Sequence, residues 1–259
     1  MAHYQIILAY DGTGFSGFQR QAQGKKSRTV QAVVETAMRQ IGWRGTTILA
    51  AGRTDTGVHA AGQVIAFDLE WTHGEQALLA ALNANLPPDV AAQAACQRRA
   101  DFHPRYAALR RNYRYRIYCQ AVRDPLRERY AWRVWPAPDL ERLQAAAKEL
   151  LGTHDFAAFG SPPRSGGVTV RQVYVADWRA QADELIFEIT ANAFLFRMVR
   201  HLVGFQVSIG QGLLDVSAVC QCLQSGSREM AKVLAPAQGL SLVQVFYPDE
   251  GNLGQQHRE

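Results

Sequence analysis

Cysteine is scarce in these 259 residues: four occur. No Cys-x-x-Cys pair offers half a zinc site, and a disulfide-stapled mini-protein is excluded. Cys220-Gln-Cys222 reads as two small apolar residues in a helix-like stretch. No run of about 18 apolar residues is present, so no membrane span is expected. The opening Met1-Ala-His-Tyr-Gln-Ile6 lacks the basic region, apolar run and cleavage site of a signal peptide. A cytoplasmic protein with reduced thiols is the expectation. Charge is modest too, at 20% of residues against 47% hydrophobic. That is ordinary globular composition, enough for one large domain or two of about 100–150 residues.

Lysine is missing altogether from residues 98–133, where eleven arginines stand against Asp101, Asp124 and Glu128. The local charge is +8 in a chain whose total is +5, so the remainder is mildly acidic. Phe102, Tyr106, Tyr113, Tyr115, Tyr118, Tyr130 and Trp132 are interleaved with these arginines. Arginine forks suit phosphates and aromatic faces suit unstacked bases, which is the composition of an RNA-contacting surface. The plainer alternative is a strand with a solvated arginine face and an inward tyrosine face.

Periodicity gives an order of elements. Residues 4–10 are strand-like and end in the turn signal Asp11-Gly12. Val30, Val33, Val34, Ala37, Met38 and Ile41 follow helical spacing behind Thr29 as N-cap. Strands are expected at 46–51 and 63–69, a helix through Leu78, Leu79 and Leu82, and a strand at 90–96. The second half repeats the order: a strand at 112–119, a helix at 139–151, strands at 168–178 and 185–191. Helices at 195–209 and 216–223 and a strand at 240–246 complete it. Two β-α-β-β-α-β units in tandem suggest an α+β protein of two ferredoxin-like domains with largely antiparallel sheets, at 1–104 and 105–259. The loop 160–167 is the clearest flexible segment, and Arg164 in it can reach an anionic partner.

Three motifs carry candidate chemistry. Gly12, Gly14 and Gly17 form Gly-x-Gly-x-x-Gly after the first strand, as in a dinucleotide fingerprint. That fingerprint needs its third glycine at a helix start. Here the helix begins only near Thr29, so a nucleotide cofactor is not expected. Gly52-Arg-Thr-Asp-Thr-Gly-Val-His59 joins two strands. Arg53 can keep Asp55 ionised, as a nucleophile or base requires, or Asp55 can simply cap the loop. His59 reads as a hydrogen-bonding histidine rather than a base. In residues 192–204, Phe194, Met198, Leu202 and Phe205 make a core stripe at helical spacing. Arg197 and Arg200 lie beside it. Arg200 reaching Asp55 would compensate both charges, and snorkelling to solvent is the alternative.

Taken together these residues resemble the tRNA pseudouridine synthase A family. The resemblance runs through residues 10–21, 29–31, Ala51-Gly-Arg-Thr-Asp-Thr-Gly-Val-His-Ala60, Leu82-Asn-Ala-Asn-Leu-Pro87 and Phe102-His-Pro-Arg105. It continues in Arg111-Asn-Tyr-Arg-Tyr115, Gly152-Thr-His-Asp-Phe156, Asn192-Ala-Phe194, Met198-Val-Arg200 and Ala235-Pro-Ala-Gln-Gly-Leu240. The family commonly has Ala where Thr56 stands and Trp where Phe18 stands.

The resemblance implies isomerisation of uridine to pseudouridine in the anticodon stem-loop of tRNA, at positions 38–40 of that RNA. It implies no cofactor, no metal, a homodimer, and an active cleft between the two domains. By matching position, Asp55 resembles the catalytic aspartate and Tyr113 the tyrosine that stacks on the target base. Arg53 resembles the arginine that helps open and replace the flipped nucleotide. Arg200 resembles the partner that orients the aspartate, and Leu240 an apolar wall of the uracil pocket. Arg105, Arg110, Arg111, Arg164 and Ser165 are candidate RNA contacts. Two rivals differ in class. A non-catalytic RNA-binding module lacks its expected Lys/Arg-Gly-aromatic signature here. A carboxylate hydrolase would need Asp68 or Glu70 as a second acid, and neither lies in a motif.

Overall fold

The computed structural model of the protein describes residues 1–21 and 27–248. Two compact units emerge: residues 1–109 with 242–248, and residues 110–241. The sequence suggested 1–104 and 105–259. Residues beyond 104 stay with the first unit because Leu109 donates its N–H to Phe246 O at 2.8 Å and Tyr247 Oη donates to Pro104 O at 2.7 Å.

The first unit contains β1 (Ala2–Tyr10), a 3-10 turn (Gly12–Gly14), α1 (Val30–Gln40), β2 (Leu49–Ala50), β3 (His59–Leu69), α2 (Gly74–Asn85) and β4 (Val90–Arg98). Strand β1 runs antiparallel to both β3 and β4. Thr29 caps α1, its side chain accepting from Ala32 N. Val30, Val34, Ala37 and Met38 are buried as the spacing predicts. Strand β2 is shorter than the expected 46–51, and the reason lies in α1. Ile48 N donates to Glu35 Oε1 (3.2 Å), Gln31 Nε2 to Thr47 Oγ1 (2.8 Å), and Arg20 Nη2 to Thr46 O (3.2 Å). Side chains thus take the hydrogen bonds that a ladder would have taken. Glu35 is fully buried and lies 3.2 Å from Arg20 Nη1, so its charge is compensated.

The second unit contains β5 (Arg110–Tyr118), β6 (Trp132–Arg133), α3 (Leu140–Lys148), β7 (Gly152–Asp155), β8 (Val170–Gln181), β9 (Glu184–Ala191), α4 (Met198–Gly210), α5 (Ala218–Ser225) and a 3-10 turn (Ala237–Gly239). Its strand order is β5-β9-β8-β7, antiparallel throughout, with the short β6 parallel to β5. The last strand, β10 (Leu240–Phe246), begins in this unit, and from Leu242 it belongs to the first unit, flanking β3. The protein is α+β, with the β-α-β-β-α-β order repeated in the second half around the added β6, β7 and α5, and nearly all strand pairing antiparallel.

Its second core is aromatic. Trp178 stacks on Phe187 with ring centroids 5.0 Å apart, and Phe159 meets Phe205 at 5.4 Å. Fully burying one such large side chain contributes roughly 1.5–3 kcal/mol. The buried Trp178 Nε1 donates to Gln206 Oε1 at 3.0 Å, so no polar atom of that ring is stranded.

Two expectations need correction. Strands β6 and β7 escaped the sequence reading, because two and four residues are too short to show a period. Helix α4 begins at Met198, not near residue 195. Phe196 N donates to Ser161 O (2.9 Å) in an isolated bridge, and Arg197 then turns left-handed at φ 62° before the helix starts. Phe194 therefore precedes the helix and is not part of its apolar stripe, which holds Met198, Leu202 and Phe205.

Candidate active site

The glycine turn that imitates a dinucleotide fingerprint is the seat of the Asp55 loop. A Cβ on Gly12 would stand 2.1 Å from Val58 O, and one on Gly17 would stand 3.0 Å from Thr54 O. Only glycine lets the two backbones come this close. Gly17 also has φ 92°. Phe18 N donates to Thr54 O (3.1 Å), and Gly57 N to Phe15 O (3.3 Å). Beneath them the buried Tyr10 hydroxyl shares a 2.8 Å hydrogen bond with Thr54 Oγ1. Burial pushes the Tyr10 phenol up to about 12, so it stays neutral at physiological pH. Arg28 grips both carboxylate oxygens of Asp89 (2.5 and 2.8 Å) while its guanidinium lies 4.1 Å from the Phe15 ring centroid. That grip holds the Asp89 carboxyl below the ordinary range.

Asp55 opens a tight turn: Val58 N donates to Asp55 O (3.1 Å), and Gly57 takes φ 78° at the third position. This is the type II arrangement, which requires positive φ there. The Asp55 side chain is half-buried, whereas Arg53 is exposed and has no hydrogen-bond or ion-pair partner among the described residues. The Arg53–Asp55 ion pair that the spacing suggested is therefore not formed. His59 is buried, and Gly12 N donates to its Nδ1 at 3.0 Å. The same nitrogen lies 3.2 Å from Asp11 Oδ1, so the ring is already engaged with its neighbours, which is the hydrogen-bonding role expected of it.

In the second unit, β5 buries its second half. Tyr115 and Ile117 are buried, and Tyr113 is half-buried. The Tyr113 ring meets Phe194 edge to face, centroids 4.9 Å apart at 80°. Tyr115 is locked below: its hydroxyl donates to Pro236 O at 2.7 Å, and burial raises its pKa far beyond that of an ordinary tyrosine. Gly239 lies so close over Tyr115 that a Cβ would come within 2.5 Å of the ring. Leu240, buried, follows at once. Arg200 sits in the first turn of α4, half-buried, with Nε donating to Ala235 O at 2.7 Å. Phe194 is the residue that sequence reasoning misplaced: its motif was visible, but the helical spacing disguised its task.

The other face of β5 revises the arginine-rich stretch. Arg114 reaches Glu188 Oε1 through Nε (2.8 Å) and Nη2 (2.7 Å), and Arg179 adds a third contact at 3.0 Å. Arg116 grips Glu184 in bidentate fashion (2.8 and 2.9 Å), and Arg127 binds Glu184 at 3.0 Å and also Asp183. Hydrogen bonds from Arg179 and Arg114 draw the Glu188 carboxyl below its ordinary range. Burial would raise Glu184, and the Arg116 and Arg127 hydrogen bonds outweigh it, so that group too is lowered. Charge counted along residues 98–133 thus overstated what is available to RNA, because the compensating acids arrive from β9 and the turn before it.

Arg111 Nη1 donates to Asn192 O at 2.8 Å, tying β5 to the end of β9. Arg105 and Arg110 are exposed. Arg164 and Ser165 are exposed in the 160–167 loop, whose base is held by Arg228 through Gly160 O (2.5 Å) and Ser161 Oγ (2.9 Å). Among the described residues no group of three or more His, Cys, Asp or Glu is placed to hold a metal ion, and no helix is long and apolar enough to cross a membrane.

A duplicated ferredoxin-like α+β fold carrying an aspartate on a glycine-seated loop defines a class, and comparison with known proteins agrees. The model of the tRNA pseudouridine synthase family matches residues 6–107 and 146–248, more than half of the chain. The chain belongs to that family, and its members are isomerases. Curated relatives are each described as tRNA pseudouridine synthase A. The protein of Halalkalibacterium halodurans is 42% identical over 93% of this chain and 90% of its own length. That of Limosilactobacillus fermentum is 37% identical over 97% of this chain and 98% of its own. That of Paraburkholderia xenovorans is 39% identical over 96% and 92%.

Proposed function

We propose that this protein isomerises uridine to pseudouridine in the anticodon stem-loop of tRNA, with Asp55 as its catalytic group. The observation that carries the reading is the Asp55 loop, in which a half-buried carboxylate opens a turn pinned by Gly12 and Gly17. Such pinning preorganises an acid without burying it, as a group that meets a reacting sugar or base requires.

The reaction breaks the N1–C1′ bond, rotates the uracil and forms a C5–C1′ bond. The C5 proton leaves to solvent and N1 gains one, so no atom is added and no electrons are lost. The target base must be flipped out of its stack, which costs a few kcal/mol. Tyr113, braced by Phe194, is suited to stack on the detached base, a contact worth roughly 1–3 kcal/mol. Arg53, exposed and uncommitted, takes the place of the extruded nucleotide. Arg200 orients the Asp55 carboxylate, and Leu240 walls the uracil. Arg105, Arg110, Arg111, Arg164 and Ser165 contact the RNA, Arg111 while also bracing Asn192. Two copies of the chain bind tRNA as a homodimer in the cytoplasm.

The test uses tRNA transcripts tritiated at C5 of uridine, with wild type, Asp55→Ala and Asp55→Asn. Wild type is expected to release tritium without added metal. Both variants should release none while binding tRNA within about two-fold of wild type. Equal loss of binding and turnover would make Asp55 structural. Salt-sensitive binding by wild type without any release would favour the RNA-binding module instead.

A further inference from the structure

The segment between β4 and β5 presents an aromatic pair whose outer ring, Tyr106, carries no hydrogen bond of its own among the described residues. Tyr106 is 79% exposed, yet its ring is in contact with His103, centroids 4.3 Å apart and planes tilted by 39°. Its hydroxyl has no hydrogen-bond partner among the described residues. His103 is fixed from beneath. Arg105 N donates to its Nδ1 (3.1 Å), and Ala107 N donates to its carbonyl oxygen (2.9 Å). The flanking residues are tied to the first unit at both ends. His3 Nε2 lies 3.0 Å from Phe102 O, Phe102 meets Tyr247 at 5.2 Å, and Tyr247 Oη donates to Pro104 O.

An exposed tyrosine held in one orientation gives up rotamer freedom and buries little in return. The same ordering is useful to a ligand that stacks, because the face is ready before the ligand arrives. The surrounding charge selects the ligand. Residues 98–109 hold Arg98, Arg99 and Arg105 against Asp101 alone; Arg99 pairs with Asp101 at 3.1 Å and Arg98 Nε donates to Gln5 Oε1, which leaves the exposed Arg105 as the excess cation beside the ring. A planar π face beside a cation suits an unpaired nucleobase whose phosphate approaches the arginine.

We infer that Tyr106, lying tilted against His103, is a platform for an unpaired base of the RNA substrate, separate from the stacking assigned to Tyr113. The inference rests on the reading that the protein acts on tRNA. The platform contributes to holding the RNA and not to the chemical step.

The experiment measures tRNA affinity and turnover separately, with a tRNA transcript tritiated at C5 of uridine, for wild type, Tyr106→Ala, Tyr106→Phe and Tyr106→Trp. Tyr106→Ala is expected to raise Kd and KM about ten-fold, with kcat within two-fold of wild type. Phe and Trp keep a π face and should stay within two-fold of wild type on both. The slope of log Kd against log salt should not change in Tyr106→Ala, because no phosphate contact is removed. Because the side chain is exposed, melting temperatures should coincide, and a common melting temperature excludes misfolding as the cause. Unchanged Kd in Tyr106→Ala would overturn the inference, as would a Phe variant as weak as Ala. A shift in sedimentation with unchanged Kd would also overturn it, marking a protein contact. If wild type binds tRNA but releases no tritium, the synthase reading fails alone, and the Kd comparison still decides the platform.

Discussion

Gly12 and Val58 lie so close that a Cβ on the glycine would stand 2.1 Å from the Val58 carbonyl oxygen. One strand end and one turn are thereby pressed into a single rigid seat for Asp55. The backbone of Gly12 serves the same seat, since its N–H donates to His59 Nδ1.

Gly12→Ala must push the two backbones apart, and overpacking of this kind costs about 1–3 kcal/mol. Gly17→Ala, at φ 92°, adds left-handed strain of about 1–2 kcal/mol. Both variants should melt several degrees below wild type and lose kcat more than affinity, because displacement of the Asp55 loop affects chemistry before RNA contacts. Melting curves and single-turnover tritium release check this. Full kcat in Gly12→Ala would show that the seat tolerates movement.

Phe194→Ala removes the ring that braces Tyr113 edge to face. Aromatic pairs of this geometry contribute about 0.5–1.5 kcal/mol beyond burial. The variant is expected to slow single-turnover isomerisation about ten-fold, while Phe194→Tyr, which keeps the ring, stays near wild type. Tyr113→Phe should preserve stacking and tRNA affinity. A slower single-turnover rate in Tyr113→Phe would assign the hydroxyl to C5 proton removal, and an unchanged rate would exclude it.

The arginines on β5 divide into two groups with opposite behaviour. Arg114→Ala should leave the salt dependence of tRNA binding unchanged, because its guanidinium is spent on Glu188. Arg164→Ala, at an exposed and uncommitted site, should lower that slope by about one. Filter-binding or fluorescence titrations at several salt concentrations separate the two. A reduced slope in Arg114→Ala would mean that the ion pair opens on RNA binding.

Glu188 also predicts an acid sensitivity. Its folded pKa lies below the ordinary 4.5, the Arg179 hydrogen bond being the largest cause. The unfolded chain therefore binds more protons in that window, and stability rises with pH there. The contribution is present in full above the unfolded pKa and is lost as pH falls through the folded value. Melting temperature plotted from pH 3 to 7 should fall less steeply on the acid side in Glu188→Gln than in wild type. Parallel curves would show that the pair is too solvated to matter.

Much of this protein was decided locally. Thr29 and Asp139 were legible as helix starts because a capping side chain bonds a backbone N–H only three residues on, at Ala32 and Arg142. The strand at 240–246 was legible because its alternation needs no distant partner to be recognised. The sequence by itself also determined the repeated element order, and the Gly-Arg-Thr-Asp motif that marks the candidate site. Tertiary structure decided the rest. Arg114 and Arg116 meet Glu188 and Glu184 only because β5 and β9 pair in one register, and no window along the chain contains both sides of that pairing. Phe194 left the helical stripe because a bridge from Phe196 to Ser161 and the left-handed turn at Arg197 override local spacing. The glycine turn found its purpose only when Val58 and Thr54 came to lie against it. In each case the deciding contact joins residues far apart in sequence, which periodicity and composition do not sense.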